Sequence, residues 1–175
     1  REVQNEYPDV IFLSESFTRP KVMKALAKAG FTQSYSYFTW RNDKQELTDY
    51  FSELTQTDVR DYMRSNLFGN TPDINPYYLQ TSGRAGFKVR QLLAATLSSV
   101  YGVYSGFELA EATPVPGREE YFNSEKYELK IWDWDRPGNI TADITKVNEI
   151  RRNHPALHEY DNLRFYWAEN GQMLC

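Results

Sequence analysis

Short apolar runs alternate along the chain with longer segments in which apolar residues recur every three or four positions. The run Val10–Leu13 is apolar throughout and is bounded by Pro8 and by polar residues, which predicts a fully buried β-strand. A helix is predicted next, because Pro20 suits the first helical turn and Gly30 suits the position just past the last turn. The chain therefore begins as a strand followed by a helix.

The same alternation continues through most of the remaining sequence. Apolar residues recur with helical spacing from Leu47 onwards, and Asn42 with Gln45 predicts a capping box at the start of that helix. Further helices are predicted over 58–65, 84–99 and 141–153, the last with Ile144, Val147 and Ile150 facing inward. Strands are predicted between the helices, over 31–40, in the stretch that ends at Asp73, and over 100–104.

Alternation of strands and helices is typical of a parallel sheet whose strands are joined by crossover helices. About four βα units are predicted, whereas a complete (β/α)₈ barrel takes about 250 residues. The pattern therefore predicts an α/β chain that is either doubly wound or half of a (β/α)₈ barrel. In both architectures the ligand site lies at the C-terminal ends of the strands.

Two segments depart from this alternation. The polar, proline-containing stretch 111–139 is too long for an idle connection within a compact domain, which indicates a functional loop. Its Trp132 and Trp134 alternate as on a strand and are expected to pack rather than to form a stacking platform. After the last helix, residues 163–174 predict a hairpin that opens a new, β-rich unit.

Composition and charge exclude several classes of function. The chain has a formal net charge of −4 and no block of Lys or Arg, which argues against nucleic acid or an anionic membrane as the main partner. No apolar run approaches the roughly 20 residues needed to span a bilayer. The single cysteine, Cys175, cannot form an internal disulfide and fits a reducing compartment, the cytoplasm.

Two acidic residues follow predicted strands. Glu15 ends the first strand and Asp73 ends the third, so both are expected at the C-terminal rim of the sheet. Glycosyl chemistry needs such a pair, because one acid protonates the leaving oxygen while another carboxylate attacks or shields an oxocarbenium-like centre. Structural roles are also open: Glu15 could cap the helix near Pro20, and Asp73 could belong to an ordinary turn after Pro72.

Longer motifs carry a resemblance to a known family. The stretches FLSESFTRPKVMKALAKAGFTQSYSYFTWRN, NTPDINPYYLQ and EEYFNSEKYELKIWDWDRPGNI resemble the bacterial maltosyltransferases of the α-amylase superfamily that use maltose 1-phosphate. The resemblance covers nearly the whole chain, with TPD standing where amylases usually carry Asn-His-Asp. It implies that residues 1–160 are the C-terminal half of the catalytic (β/α)₈ barrel, strands five to eight. Residues 161–175 would then begin a truncated C-terminal β-sandwich.

The resemblance also implies roles for individual residues. Glu15 would be the general acid/base at the end of strand five, and Asp73 the transition-state stabiliser at strand seven. Lys126 and Tyr127 would bind the donor glucose unit farther from the scissile bond, although without the motif they are typical of a solvated lysine and a core-edge tyrosine. The family's nucleophilic Asp and its phosphate-binding residues would lie upstream of Arg1, so the isolated chain is expected to be inactive.

The implied reaction is a retaining transfer of maltosyl units from α-maltose 1-phosphate to the non-reducing end of an α-1,4-glucan, as in glycogen-type synthesis. It needs no metal and no organic cofactor, and the resemblance implies a homodimer for the full-length enzyme. Two alternatives remain open from the residues alone. One is a hydrolase or isomerase of α-glucosides from the same superfamily, and the other is a non-catalytic glucan-binding fragment.

Overall fold

The structure is a computed structural model that describes residues 2–175, with five α-helices and four short strands among them. The helices are α1 (Glu2–Glu6), α2 (Pro20–Ala29), α3 (Lys44–Gln56), α4 (Tyr77–Leu97) and α5 (Thr141–Asn153). The strands are β1 (Leu13–Ser14), β2 (Gln33–Tyr35), β3 (Ser65–Phe68) and β4 (Val100–Gly102). Short 3₁₀ helices cover Tyr37–Trp40, Asp58–Asp61, Phe107–Leu109 and Pro155–His158.

The four strands form one parallel sheet in the order β1-β2-β3-β4. Ser14 lies opposite Ser34, Tyr35 opposite Asn66, and Phe68 opposite Gly102. Each strand therefore pairs with the strand that precedes it in sequence. The predicted α/β class with a parallel sheet is confirmed.

The helices share one face of this sheet. The main core contains residues of α2, α3 and α4 together with Leu67 of β3, which is fully buried. Right-handed crossovers between strands in sequential order place the connecting helices on the same side. Because neighbouring residues of a strand point to opposite faces, Asn66 and Phe68 lie on the face without helices, together with Tyr35 and Gly102.

The prediction that Val10–Leu13 is a fully buried strand is wrong. The strand is confined to Leu13–Ser14, and Val10, Ile11 and Leu13 are 38%, 63% and 49% exposed. Among the described residues β1 has a partner strand on one side only, and Leu13 lies on the face without helices. An apolar run can predict a strand, but its burial depends on neighbours that the run does not contain.

The start of α3 differs from the prediction by one residue. Asp43, not Asn42, is the N-cap, and it forms a capping box with Glu46 rather than with Gln45. The Asp43 carboxylate accepts from the Glu46 backbone N–H at 2.8 Å. The Glu46 carboxylate accepts from the backbone N–H groups of both Asn42 and Asp43. The reciprocal hydrogen bonds of Asp43 and Glu46 therefore set the start of α3.

Several other bounds shift in the same local way. The predicted strand 31–40 is a strand only at β2, and its second half is a 3₁₀ helix started by the Ser36 side chain. The helix predicted over 58–65 is a 3₁₀ helix over Asp58–Asp61, because Ser65 already belongs to β3. The third strand is thus β3, and Asp73 lies in the turn that follows it rather than at its end.

Helix α5 has the predicted bounds, whereas α4 begins earlier than predicted. The bounds of α5 are confirmed, but none of its residues is fully buried and Ile150 is 40% exposed. Helix α4 begins at Tyr77, ahead of the predicted start at Arg84. Gly83 interrupts α4 with a φ of 58°, which a glycine adopts without strain, so the predicted start marks the second part of a kinked helix.

Arg90 of α4 is the largest fully buried side chain. Its guanidinium donates to the carbonyl oxygens of Phe38 and Arg41 and lies 3.7 Å from the centroid of the Phe38 ring. Burial lowers the pKa of Arg90 to about 10. This side chain ties α4 to the segment that leaves the C-terminal end of β2.

The C-terminal segment forms no strand within the described residues 159–175. The predicted strands of the hairpin over 163–174 are therefore not formed, although the backbone N–H of Tyr166 donates to the carbonyl of Cys175 at 2.7 Å. The segment lies against α3, where Lys44 donates to the carbonyl of Ala168 at 2.8 Å. None of the helices in residues 2–175 has the length and apolar character needed to cross a membrane.

Candidate functional site

Glu15 lies at the C-terminal edge of the sheet. It directly follows Ser14, and since Ser14 is opposite Ser34, Glu15 comes beside Tyr35 on the face without helices. The Glu15 side chain is exposed. Burial, and after it the negative charge of Glu15, raises the pKa of Tyr35.

Asp73 lies in a tight turn after β3. The backbones of Thr71 and Ile74 exchange hydrogen bonds of 3.0 and 3.1 Å across this turn, and the backbone N–H of Asp73 donates to Thr71 Oγ1 at 3.2 Å. Thr71 is almost fully buried, whereas the Asp73 side chain is 52% exposed. The turn predicted as the structural alternative is present, and it holds the carboxylate out towards solvent.

Lys126 reaches Asp73 from the long loop. Its ammonium forms an ion pair and a hydrogen bond with Asp73 Oδ1. That hydrogen bond raises the pKa of Lys126, and the charge of Glu15 contributes in the same direction. The fold thus joins Asp73 to Lys126, far away in sequence, at the edge of the sheet where Glu15 also lies.

Tyr127 is less tightly held. Its side chain is 83% exposed, and the Lys126 ammonium lies 5.7 Å from the centroid of its ring. An open cleft of about 290 Å³ lies here, mostly polar in its lining. The cleft is lined by Pro72, Asp73, Glu120, Tyr121, Ser124, Lys126 and Tyr127. Glu15 is not part of this lining, so the cleft borders the carboxylate region from the side of the loop.

An aromatic cluster beside Glu15 was not predicted as a unit. The rings of Phe17 and Tyr35 stack with centroids 6.0 Å apart and an interplanar angle of 14°. Trp40 meets Phe17 edge-on at 5.3 Å, and Phe68 meets Tyr35 edge-on at 4.9 Å. The signal in the sequence was the 15% aromatic content, and the cluster offers an apolar wall of the kind on which sugar C–H faces pack.

Tyr121, which lines the cleft, makes a buried polar contact. Asn70, which follows β3 and is 1% exposed, donates from Nδ2 to the hydroxyl of Tyr121. Burial raises the pKa of Tyr121. Asn70 Oδ1 has no hydrogen-bond partner among the described residues. No sequence pattern identified this pair, because its members lie in different loops.

Within residues 2–175, no group of three or more His, Cys, Asp or Glu side chains is arranged to hold a metal ion. The ring of His158 contacts the carbonyl of Arg151 at 2.7 Å. The residues that the site brings together are therefore carboxylates, a lysine and aromatic rings.

Comparisons with known proteins agree with the resemblance seen in the motifs. No protein-family model matches the chain. An alpha-1,4-glucan:maltose-1-phosphate maltosyltransferase of Cereibacter sphaeroides is 65% identical over 174 residues, which is 99% of this chain and 29% of that protein. Proteins with the same name from Myxococcus xanthus and Pseudomonas aeruginosa are 59% and 56% identical, and the chain covers 26% of each.

The chain thus spans less than a third of the length of the curated relatives it matches. Identity stays at 51% or above over 99% of the chain even in a relative from Burkholderia pseudomallei, of which it covers 15%. The resemblance to maltosyltransferases is confirmed, and it concerns one part of those proteins.

Proposed function

We propose that the chain forms the C-terminal half of the catalytic (β/α)₈ barrel of a maltosyltransferase. The enzyme would transfer maltosyl units from α-maltose 1-phosphate to the non-reducing end of an α-1,4-glucan. The observation that carries this proposal is the ion pair of Asp73 with Lys126 beyond the C-terminal end of β3, at the same edge of the sheet as Glu15. That edge is where (β/α)₈ enzymes have their active sites.

The topology favours a half-barrel over a doubly wound sheet. A doubly wound sheet reverses its strand order at a switch point and carries helices on both faces. Here the order is sequential, and α2, α3 and α4 contribute to a core on one face. The face without helices then corresponds to the interior of half a barrel, and β1 with its exposed residues corresponds to the open edge. We assign residues 1–160 to this half and residues 161–175 to the start of a following β domain.

The two carboxylates suit different steps of a retaining transfer. Glu15 would protonate the departing phosphate oxygen and then, as a base, accept the proton of the acceptor 4-hydroxyl. Asp73 would stabilise the positive charge that develops at the anomeric centre. Lys126 and Tyr127 would bind the donor sugar in the adjoining cleft. The nucleophilic carboxylate of this reaction would come from a part of the protein outside these 175 residues.

A segment exchange tests the proposal. The matching 174 residues of the Cereibacter sphaeroides relative are replaced by this chain, and release of orthophosphate from maltose 1-phosphate is measured with maltooligosaccharide as acceptor. We expect release that depends on both substrates. Activity on maltooligosaccharides alone would instead favour a hydrolase or isomerase of α-glucosides.

Substitution of the acid/base sharpens this test. In the exchanged enzyme, Glu15→Gln is expected to lower the transfer rate about 10²- to 10⁴-fold, the usual contribution of a general acid or base. Glu159→Gln is the matched control, since Glu159 is exposed and lies with Arg64 and Ser99 near the N-terminal ends of the strands. Near-normal turnover of the Glu15 variant would overturn the assignment.

A further inference from the structure

Lys126 reaches Asp73 from the surface of the loop. Its side chain is 39% exposed, and a lysine side chain loses much rotamer entropy when it is held in one place. The location of its ammonium therefore depends on how firmly the backbone around residue 126 is held. The preceding residue, Glu125, makes contacts that hold this part of the backbone.

Glu125 is held by Trp132, seven residues later in the same loop. The indole Nε1–H donates to Glu125 Oε1 at 2.8 Å. The Trp132 ring in turn lies against Gly106, where an added Cβ would come within 3.1 Å of the ring, and Gly106 has a φ of +96°. Gly106 follows β4, so Trp132 links Glu125 to the end of the sheet.

A second contact holds Glu125 from the other side. Tyr104 and Glu125 line the same small cavity, and burial, and after it the charge of Glu125, raises the pKa of Tyr104 to about 12. The Tyr104 ring lies 5.9 Å from the ring of Tyr121, the residue that receives the hydrogen bond of Asn70. The Glu125 side chain thus lies at the base of the loop, beside Tyr104 and Trp132.

The backbone between Glu125 and the cleft is fixed by Ser124. This residue is 8% exposed, and its Oγ accepts from the backbone N–H of Lys126 at 3.3 Å while its carbonyl accepts from that of Tyr127 at 2.9 Å. Asn123 has a φ of 51° and turns the chain just before it. Every residue from 123 to 127 is therefore constrained except for the side chains of Lys126 and Tyr127.

We infer that Glu125 and Trp132 are positioning residues that keep Lys126 on Asp73. This inference rests on the proposed function of Lys126 in donor binding. Trp132 occupies the carboxylate that stands next to Lys126 in sequence. Without that hydrogen bond the backbone around residue 126 would be held less firmly, and the Lys126 ammonium would no longer be kept at Asp73.

Two pairs of variants in the exchanged enzyme test this inference. Trp132→Phe keeps the ring against Gly106 and removes only the N–H, so KM for maltose 1-phosphate is expected to rise about 2- to 12-fold with little change in kcat, as for the loss of one hydrogen bond. Glu125→Ala is expected to match it, whereas Glu125→Gln keeps an oxygen for the indole and restores KM to within about twofold. Trp134→Phe, in the same loop and 52% exposed, is the control that leaves KM unchanged.

A double variant separates positioning from a general loss of structure. If Trp132 acts through Lys126, Trp132→Phe has no further effect on KM in a Lys126→Ala background. An equal rise in both backgrounds, or an unchanged KM in Trp132→Phe and Glu125→Ala, would overturn the inference. If Lys126→Ala itself left KM unchanged, the proposed role of Lys126 would fail instead, so the two failures are distinguishable. Should Trp132→Phe prove unstable to heat, the comparison of Glu125→Gln with Glu125→Ala decides the question alone.

Discussion

The hydrogen bond from Asn70 to the Tyr121 hydroxyl is expected to stabilise the fold beside the cleft, and a single substitution can test this. Tyr121→Phe removes one oxygen and keeps the ring. Asn70 is 1% exposed, its Nδ2 donates to that oxygen, and its Oδ1 already has no partner among the described residues. The variant therefore leaves a buried amide donor unpaired, which costs about 1–3 kcal/mol. We expect the free energy of unfolding to fall by that amount.

The effect is measured by urea unfolding of the 175-residue chain, followed by tryptophan fluorescence at two protein concentrations tenfold apart. With a slope of about 1–3 kcal/mol per molar urea, a loss of this size moves the midpoint by on the order of 0.3–3 M. Tyr127→Phe is the matched control, because Tyr127 is 83% exposed and surface changes usually stay within about 0.5 kcal/mol. A Tyr121 variant as stable as this control would refute the reasoning that the hydroxyl satisfies Asn70.

Three further predictions concern the rest of the fold. Arg90→Met leaves two buried backbone carbonyls without their donor, so it is expected to lower the free energy of unfolding by about 2 kcal/mol or more in the same urea assay, with Arg90→Lys less affected. Burial opposes ionisation of Glu111, but hydrogen bonds from Thr113 and from Arg136 prevail and lower the pKa of Glu111 below 4.5. The ionised Glu111 therefore stabilises the fold above pH 4.5, and this contribution is lost as the pH falls through the lower pKa of the folded state. Between pH 6 and pH 3, the urea midpoint should fall less steeply in Glu111→Gln than in the parent chain. The isolated chain is expected to self-associate through β1, because its Leu13 is exposed and the strand pairs on one side only in the described chain. Leu13→Lys should weaken the association measured by sedimentation. A monodisperse parent chain would count against the half-barrel.

The elements that could be predicted from sequence are those fixed by local chemistry. Helix α5 has the predicted bounds because its periodicity and the following His154-Pro155 lie within the segment itself. The kink of α4 at Gly83 could not be predicted, since a glycine within a helical pattern does not show which φ it adopts. Burial of β1 was also beyond the sequence, because it depends on which strands and helices lie beside it.

The site shows the same division. Motifs predict Glu15, Asp73, Lys126 and Tyr127 as site residues, and the fold pairs Asp73 with Lys126 at the edge of the sheet where Glu15 lies. The contact of Glu125 with Trp132 has neither helical nor strand periodicity, so no pattern predicts it. The aromatic cluster beside Glu15 combines rings from three separate segments, and composition alone gave only their number. The parts of the site that could not be predicted from the sequence are therefore those formed by contacts between separate segments.

The sequential strand order has a consequence for synthesis of the protein in the cell. From β2 onwards, each strand pairs with the strand before it in sequence. Each new strand therefore finds its partner already synthesised when it leaves the ribosome. Helices and short loops form within microseconds, whereas the ribosome takes on the order of seconds to add another such unit. The nascent chain can therefore lay down β1 to β4 one after another, and at every stage the newest strand is the open edge that receives the next.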